Sequence, residues 1–151
     1  MRISPTFITF YTLLKLPAAF FTGVRVKSID KKECIVRVRL NFMNKNPFRS
    51  MFWAVQGMAA ELSTGALIMH TLHESNIKAS MLVIENKATF SKKAAGRINF
   101  GCNQGEEILK VINLAKETGL PQKLWLSASG HDEAGDEVSS FTFLWTIKVK
   151  N

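Results

Sequence analysis

One stretch of the sequence, residues 46–70, constrains the fold of this chain more than any other. An Asn-Pro turn leads into a run that contains no further proline and is rich in Ala, Leu and Met. Asn46 and Ser50 are suited to stop the preceding segment and to cap the next one, so the pattern predicts a helix over about residues 51–72. The rest of the chain is interpreted around this long helix.

The middle of this helix carries two glycines and a carboxylate on one face. Gly57, Glu61 and Gly65 are spaced by four residues, which brings them to the same side of a helix. Each glycine costs about 1 kcal/mol relative to alanine, so we expect another backbone or a ligand to approach closely there. Glu61 is the only ionisable residue between Arg49 and His70. Desolvation would raise the pKa of such a carboxyl group, which suits a general base or a water-activating group; the alternative is a glutamate on an exposed stripe.

Length, composition and charge limit what the chain can be. With 151 residues, of which 46% are hydrophobic and 21% charged, the sequence predicts one globular domain over residues 1–151. The net charge of +8 favours anionic partners, such as phosphate-bearing cofactors, nucleic acid or a membrane surface, without choosing among them. Cys34 and Cys102 are isolated and have no paired His, which argues against a metal site and against a disulfide framework.

The N-terminal segment is apolar and begins with Arg2, like a secretory signal, but Pro5, Lys15 and Pro17 interrupt it. No run approaches the roughly 18 residues that a membrane span needs. We therefore expect a cytoplasmic protein with no integral membrane segment. Ser4 as the cap and Pro5 at the first helical position predict a short amphipathic helix. Its apolar side chains are expected to lie over the body of the domain: Phe7, Phe10, Tyr11 and Leu14.

After Gly23 the spacing of apolar residues changes from helical to alternating. In the first two alternating segments the intervening residues are basic, which predicts an antiparallel pair with an apolar inner face and a basic outer face. The predicted strands cover residues 24–28, 36–40, 79–91, 97–103, 123–130 and 138–149. The strand at 79–91 is long, so we expect it to be buried along much of its length. Acids in the first turn, with Gly119 and Pro121 after the last, predict a shorter helix at 106–118.

The predicted order is helix, two strands, long helix, two strands, short helix and two strands. One long helix rich in small residues, with strands before and after it, indicates an antiparallel sheet wrapped around that helix. The sequence thus predicts an α+β fold, with an N-terminal helix and a short second helix in addition to the central one. The basic outer face of the sheet is left free for a partner or for solvent.

Four features carry a resemblance to a known family. They are Asn46 before the long helix, Glu61 followed by Leu-Ser-Thr-Gly-Ala, the segment Lys-Ala-Thr-Phe-Ser-Lys-Lys-Ala at 87–94, and the closing strand at 138–148. In the order and spacing of these features the chain resembles, over nearly its whole length, the hotdog-fold superfamily of acyl-CoA thioesterases. The branch it resembles is the phenylacetate-pathway type and its relatives. The resemblance implies a hotdog fold, and a homodimer or a tetramer whose sheets join side by side and whose active sites lie at the subunit interface.

The resemblance also implies a reaction. In these thioesterases an acid on the central helix activates water or attacks the thioester carbonyl, and Glu61 matches that position. Backbone N–H groups at the start of the helix polarise the carbonyl group, a role that falls to Trp53 or Ala54. Asn46 either orients water or the substrate carbonyl, or only forms the turn before Pro47. Coenzyme A enters as a part of the substrate, and no separate cofactor is expected.

Candidate substrate-binding residues lie at the start of the helix and in the turn after the third strand. The resemblance implies that pantetheine runs along this turn, where basic and polar side chains would hold the phosphates of coenzyme A: Ser91, Lys92, Lys93 and Arg97. A solvated hairpin tip explains the same residues equally well. Phe52, Trp53, Met58 and Phe90 are predicted to line an apolar pocket, and Gln56 either hydrogen-bonds the acyl group or has a structural role.

One departure from the family pattern keeps two functions open. Members that hydrolyse thioesters usually carry His-Gly-Gly at the start of the helix, where this chain has Phe52-Trp53-Ala54. Glu61 favours a thioesterase for acyl-CoA or acyl-carrier substrates, whereas the missing His-Gly-Gly favours a non-catalytic acyl-binding protein of the same fold. We do not expect a nucleic-acid partner, because the basic strand face lacks the interleaved aromatic residues that single-strand binders use for stacking.

Overall fold

Two short helices open the part of the chain that this computed structural model describes, residues 3–150. Helix α1 (Pro5–Lys15) starts as predicted, because the Ser4 hydroxyl accepts a 3.2 Å hydrogen bond from the Phe7 N–H and Pro5 takes the first helical position. Helix α2 (Pro17–Phe21) was not expected. Pro17 ends α1, since it cannot continue a helix, and then starts a new one.

Met1, Arg2 and Asn151 lie outside the described residues, so the domain predicted over 1–151 stays a prediction. Within residues 3–150 no helix is both long enough and apolar enough to cross a bilayer. The apolar row predicted for α1 is divided in the structure: Phe10 and Leu14 are exposed, whereas Phe7 packs against the core. The buried side of α1 is centred on Ile8 instead.

Six antiparallel strands form one sheet in the order β1-β2-β4-β5-β6-β3. The strands are β1 (Arg25–Ile29), β2 (Cys34–Arg39), β3 (Ala79–Phe90), β4 (Arg97–Cys102), β5 (Gln122–His131) and β6 (Glu137–Val149). All six were predicted, with bounds that differ by two residues at most. The β1–β2 turn is closed by Asp30, whose carboxylate accepts hydrogen bonds from the Lys32 and Glu33 N–H groups.

The long helix α3 (Trp53–Glu74) lies across the inner face of this sheet, and α4 (Gly105–Thr118) follows β4. The predicted cap of α3 is wrong. The side-chain amide oxygen of Asn46 accepts hydrogen bonds from the Phe48 and Ser50 N–H groups and so closes the turn before the helix. Phe52 is the residue at the cap position, and its side chain makes no capping hydrogen bond. The helix therefore begins two residues later than predicted.

The helical glycines pack against aromatic rings of β6. A Cβ atom at Gly57 would lie 3.5 Å from the Phe141 ring, and one at Gly65 would lie 3.4 Å from the Trp145 ring. These are ordinary contact distances, so the expected close approach of another backbone is wrong at both positions. The sheet wrapped around α3, with α1 and α4 beside it, is the predicted α+β hotdog architecture.

The predicted burial of β3 is also wrong. This strand is at the edge of the sheet, and from residue 85 onward all of its side chains are exposed. Leu82 and Ile84 are exposed as well, at 63% and 46%. A long, apolar and unpaired edge is a template for pairing with another strand. The alternation in the sequence identified the strand, but it could not show that only β6 would pair with it.

Candidate functional site

Glu61 opens into a cavity between α1 and α3. The cavity has a volume of about 190 Å³ and is almost wholly apolar, and its lining includes Phe7, Tyr11, Gly65, Met69, Met81 and Trp145. Among the described residues, the Glu61 carboxylate has no hydrogen-bond donor and no cationic partner. Burial raises the pKa of this carboxyl group above its ordinary value. A carboxylate held in this way is poised to take a proton.

The first turn of α3 offers two unused backbone donors. The Phe52 N–H donates to the Asn44 carbonyl and the Val55 N–H donates to the Phe52 carbonyl. Between them, the N–H groups of Trp53 and Ala54 have no acceptor among residues 3–150. They lie at the positive end of a 22-residue helix dipole. Free N–H groups at the start of a helix can stabilise an anion or a developing oxyanion.

A second depression, the N-terminal groove, lies at this end of α3 and has a volume of about 520 Å³. It brings together most of the residues predicted from the sequence: Asn46, Phe52, Trp53, Gln56, Phe90, Ser91, Lys92 and Lys93. Ala54, Met58 and Arg97 do not line it; Met58 is half-buried against the core. Phe90 packs edge-on against Phe141, with 5.7 Å between ring centroids.

Two polar residues of the N-terminal groove have structural partners. Gln56 is buried, and its amide donates to the Met51 carbonyl at 3.3 Å and accepts from the Ser139 hydroxyl at 2.7 Å. The Asn46 amide donates to the Ser50 hydroxyl, in addition to the two bonds that its oxygen accepts within the turn. These contacts correspond to the structural alternatives weighed for both side chains.

The basic turn after β3 is partly neutralised by the loop between β5 and β6. Lys92 contacts the carboxylates of Asp132 and Asp136, each at 2.7 Å, and these hydrogen bonds raise the pKa of Lys92 to about 12. Arg97 pairs with Glu133 at 3.3 Å. Lys93 is exposed and has no ion pair among the described residues. It is therefore the cation of this turn that is most available to an incoming phosphate.

The carboxylate and the free N–H groups do not meet within one copy of the chain. Trp53 and Glu61 are eight residues apart on one helix, which separates them by about 12 Å along its axis. Glu61 lines the α1–α3 cavity, whereas Trp53 lines the N-terminal groove. Within one copy of the chain, the carboxylate and the first turn of α3 therefore line different depressions.

The cavity beside Glu61 was not predicted from the sequence. Met69 lies eight residues after Glu61 and four after Gly65, and this spacing would have placed it on the same face of α3. Tyr11 was assigned only to the apolar side of the N-terminal helix. No sequence signal connects either residue to Trp145, which reaches the same cavity from the end of the chain. Among residues 3–150 no cluster of His, Cys, Asp or Glu is placed to hold a metal ion.

The chain is similar to one protein family and to several solved structures. The family DUF4442, a domain of unknown function, matches residues 8–147. A protein of unknown function from Pseudomonas aeruginosa, described as a probable thioesterase, superposes with a TM-score of 0.83 at 22% identity, over 99% of each chain. A protein of unknown function from Chlorobaculum tepidum gives 0.82 at 20% identity, over 98% of each chain.

A third solved structure, a candidate thioesterase from Shewanella oneidensis, gives a TM-score of 0.83 at 14% identity, over 97% of each chain. No curated protein matches the sequence. At these identities the likeness concerns the fold. It confirms the predicted hotdog fold.

Proposed function

The chain belongs to the DUF4442 family, and on that premise we propose that it hydrolyses an acyl thioester, with acyl-coenzyme A or an acyl carrier as the substrate. The observation that carries this proposal is the Glu61 carboxyl group, half-buried in an apolar cavity and without a partner among residues 3–150. Structural relatives described as thioesterases support the same reaction class.

The chemistry follows from the two halves of the site. As general base, Glu61 takes a proton from water while the water oxygen attacks the thioester carbonyl carbon; as nucleophile, its oxygen attacks that carbon directly. The carbonyl oxygen becomes an oxyanion, which the N–H groups of Trp53 and Ala54 stabilise. The oxyanion then collapses and the C–S bond breaks; in the general-base route the departing thiolate takes the proton that Glu61 accepted. In the nucleophilic route the collapse leaves an anhydride between the acyl group and Glu61, which water then hydrolyses to the free acid and the Glu61 carboxylate, while the thiolate takes its proton from solvent. The raised pKa of Glu61 brings it closer to the working pH, which improves a general base.

A second copy of the chain completes this site. The exposed edge of β3, with Leu82 and Ile84, favours the side-by-side pairing of two sheets. In such a homodimer, or in a tetramer built from it, Glu61 of one copy faces the start of α3 in the other copy. The separation of about 12 Å within one helix is then no obstacle, because each site takes its acid and its donors from different copies.

The carrier end of the substrate fits the N-terminal groove. Lys93 supplies a free positive charge at its rim, and the net charge of +8 attracts the phosphates of coenzyme A. The charges of Lys92 and Arg97 are already paired with carboxylates of the loop between β5 and β6, so these two residues contribute less to phosphate binding. The substrate brings the coenzyme A moiety, and the mechanism uses no other cofactor. Localisation in the cytoplasm stays a prediction.

A non-catalytic acyl-binding protein is the second candidate. Phe52 and Trp53 stand where the resemblance places the histidine and the first glycine of His-Gly-Gly, and their rings pack edge to face, with 6.0 Å between centroids. Both side chains are exposed beside the free N–H groups. If they block the approach of a thioester to these donors, the protein holds an acyl group without hydrolysing it.

Thiol release from a panel of acyl-coenzyme A esters distinguishes these functions. We expect turnover by the parent protein and a loss of about 100-fold or more in kcat for Glu61→Gln, which keeps the shape of the side chain but cannot accept the proton. Glu117→Gln, at an exposed carboxylate of α4 outside both depressions, is the matched control. Absence of turnover on every ester, with measurable binding of an ester, would overturn the hydrolase and favour the acyl-binding protein.

A further inference from the structure

The cavity beside Glu61 extends away from the start of α3. Its floor is one face of α3, from Glu61 past Gly65 to Met69, a length of about 12 Å. Tyr11 on α1 and Trp145 on β6 also line it. Glu61 and Tyr11 supply the polar side-chain groups that are free at this lining. The rest is apolar, so this space suits a hydrocarbon group better than a phosphate or a sugar.

The size of the cavity limits what it can hold. Its 190 Å³ is somewhat more than the roughly 150 Å³ of an apolar protein cavity that binds benzene. An acyl group of about six carbons fills such a space, whereas a long fatty acyl chain does not fit. Each methylene group placed in or excluded from an apolar pocket changes kcat/KM by roughly 10-fold or more.

The far end of the cavity is a thin wall. Ile3, Phe7, Tyr11 and Met69 line the cavity and also a neighbouring open groove of about 470 Å³, which runs toward Ile77 and Lys150. These four side chains therefore lie between the two spaces. Methionine is the most adaptable of the four, because it is unbranched and has three rotatable bonds. Removing the Met69 side chain joins the cavity to the groove.

We propose that this cavity is the acyl-binding pocket of the thioesterase, that it selects short acyl groups of about six carbons, and that Met69 sets the upper limit. The inference rests on the proposed function, since it assumes that Glu61 is where the thioester lies. The reacting carbonyl group then lies at Glu61, and the acyl chain points along α3 toward Met69. The carrier occupies the N-terminal groove of the second copy, which supplies the N–H donors.

The test is the dependence of kcat/KM on chain length, from acetyl- to palmitoyl-coenzyme A. The parent protein is expected to peak near hexanoyl and to fall by about tenfold or more at dodecanoyl. Met69→Ala is expected to move the peak to longer chains by opening the wall. Ile68→Ala is the matched control: Ile68 is the adjacent residue and fully buried, but it does not line the cavity, so this variant should be less stable with the peak unchanged.

A binding measurement separates this inference from the proposed reaction. Trp145 is 4% exposed and lines the cavity, whereas Trp53 and Trp125 are exposed; a Trp53→Phe/Trp125→Phe double variant therefore makes its fluorescence specific for the cavity. Hexanoate is expected to change this signal at lower concentration than dodecanoate, in a Glu61→Gln background that removes like-charge repulsion.

The two experiments together test the acyl-binding pocket and the proposed reaction independently of each other. Loss of turnover with size-selective binding would overturn the reaction and keep the pocket. A flat chain-length profile, a preference for long chains, or a Met69→Ala profile like that of the parent would overturn the pocket assignment.

Discussion

The indole N–H of Trp145, on the last strand, donates a 3.0 Å hydrogen bond to the hydroxyl group of Thr64 on α3. Both residues are buried. The same hydroxyl donates to the backbone carbonyl of Glu61 at 2.9 Å. Trp145 is thereby tied to the turn of helix that carries the candidate catalytic acid. This arrangement gives the cavity one fixed wall, formed by Trp145, opposite the adaptable Met69.

Replacing Thr64 tests this tie. Thr64→Val keeps the shape of the side chain but removes the acceptor, which leaves the indole N–H buried and unpaired. The free energy of unfolding is expected to fall by about 1–3 kcal/mol, measured by urea denaturation. Thr64→Ser keeps the hydroxyl group and serves as the control. Equal stability of the Val and Ser variants would show that the hydrogen bond contributes nothing.

Gly57 occupies a helix position where the surrounding structure leaves room for a Cβ atom. A Cβ atom there would make ordinary contact with Phe141, so Gly57→Ala is expected to raise the free energy of unfolding by about 1 kcal/mol through helix propensity. At Gly105, by contrast, a Cβ atom would collide with the Lys31 carbonyl, and Gly105→Ala is expected to destabilise the protein. Chemical denaturation of both variants checks the pair; destabilisation by Gly57→Ala would contradict it.

Much of the fold could be predicted from the sequence, because hydrophobic period and turn chemistry are local properties. Alternation identified all six strands, and Ser4 with Pro5 identified the start of α1. The edge position of β3 could not be predicted, since strand order depends on contacts between distant segments. The Asn46 side chain closes the turn before α3 and does not cap the helix, and the sequence alone allowed both roles.

The candidate site was predictable in part for the same reason. Glu61 stands out locally as a lone carboxylate in an apolar helix, and the structure shows its burial and its raised pKa. The cavity beside it is built from α1, α3, β3 and β6, and no local pattern joins residues so far apart in the chain. The ion pairs of Lys92 could not be predicted either, because Asp132 and Asp136 belong to a loop some forty residues later in the chain.

Lys92 and Lys93 are neighbours that should respond differently to substitution. Lys93→Ala removes a free charge at the rim of the N-terminal groove, and we expect KM for an acyl-coenzyme A ester to rise several-fold, less so at high salt, because exposed charges are screened. Lys92→Ala mainly frees Asp132 and Asp136, and a smaller change in KM is expected. Steady-state kinetics at two salt concentrations check this order, and the reverse order would contradict it.

The exposed edge of β3 gives a prediction about assembly. Ile84→Lys introduces a charge where two sheets are proposed to pair, and it is expected to shift the protein from dimer to monomer and to reduce turnover. Leu114→Lys on α4 is the matched control, because Leu114 is exposed to the same degree, 45% against 46%. Light scattering coupled to size-exclusion chromatography measures the mass. A parent protein that is already monomeric would contradict the shared site.

Glu61 is expected to reduce stability at neutral pH. Burial raises its pKa above the ordinary value of 4.5, so the folded protein keeps this proton to a higher pH than the unfolded chain does. The stability that the group contributes is complete below 4.5 and is lost as the pH rises through the folded pKa. Glu61→Gln should therefore unfold at a higher temperature than the parent at pH 7, with the difference vanishing toward pH 4. Glu117→Gln, on an exposed part of α4, controls for the change in net charge. A Glu61→Gln variant that is less stable than the parent at pH 7 would contradict this prediction, because it would show that the folded protein stabilises the charged carboxylate.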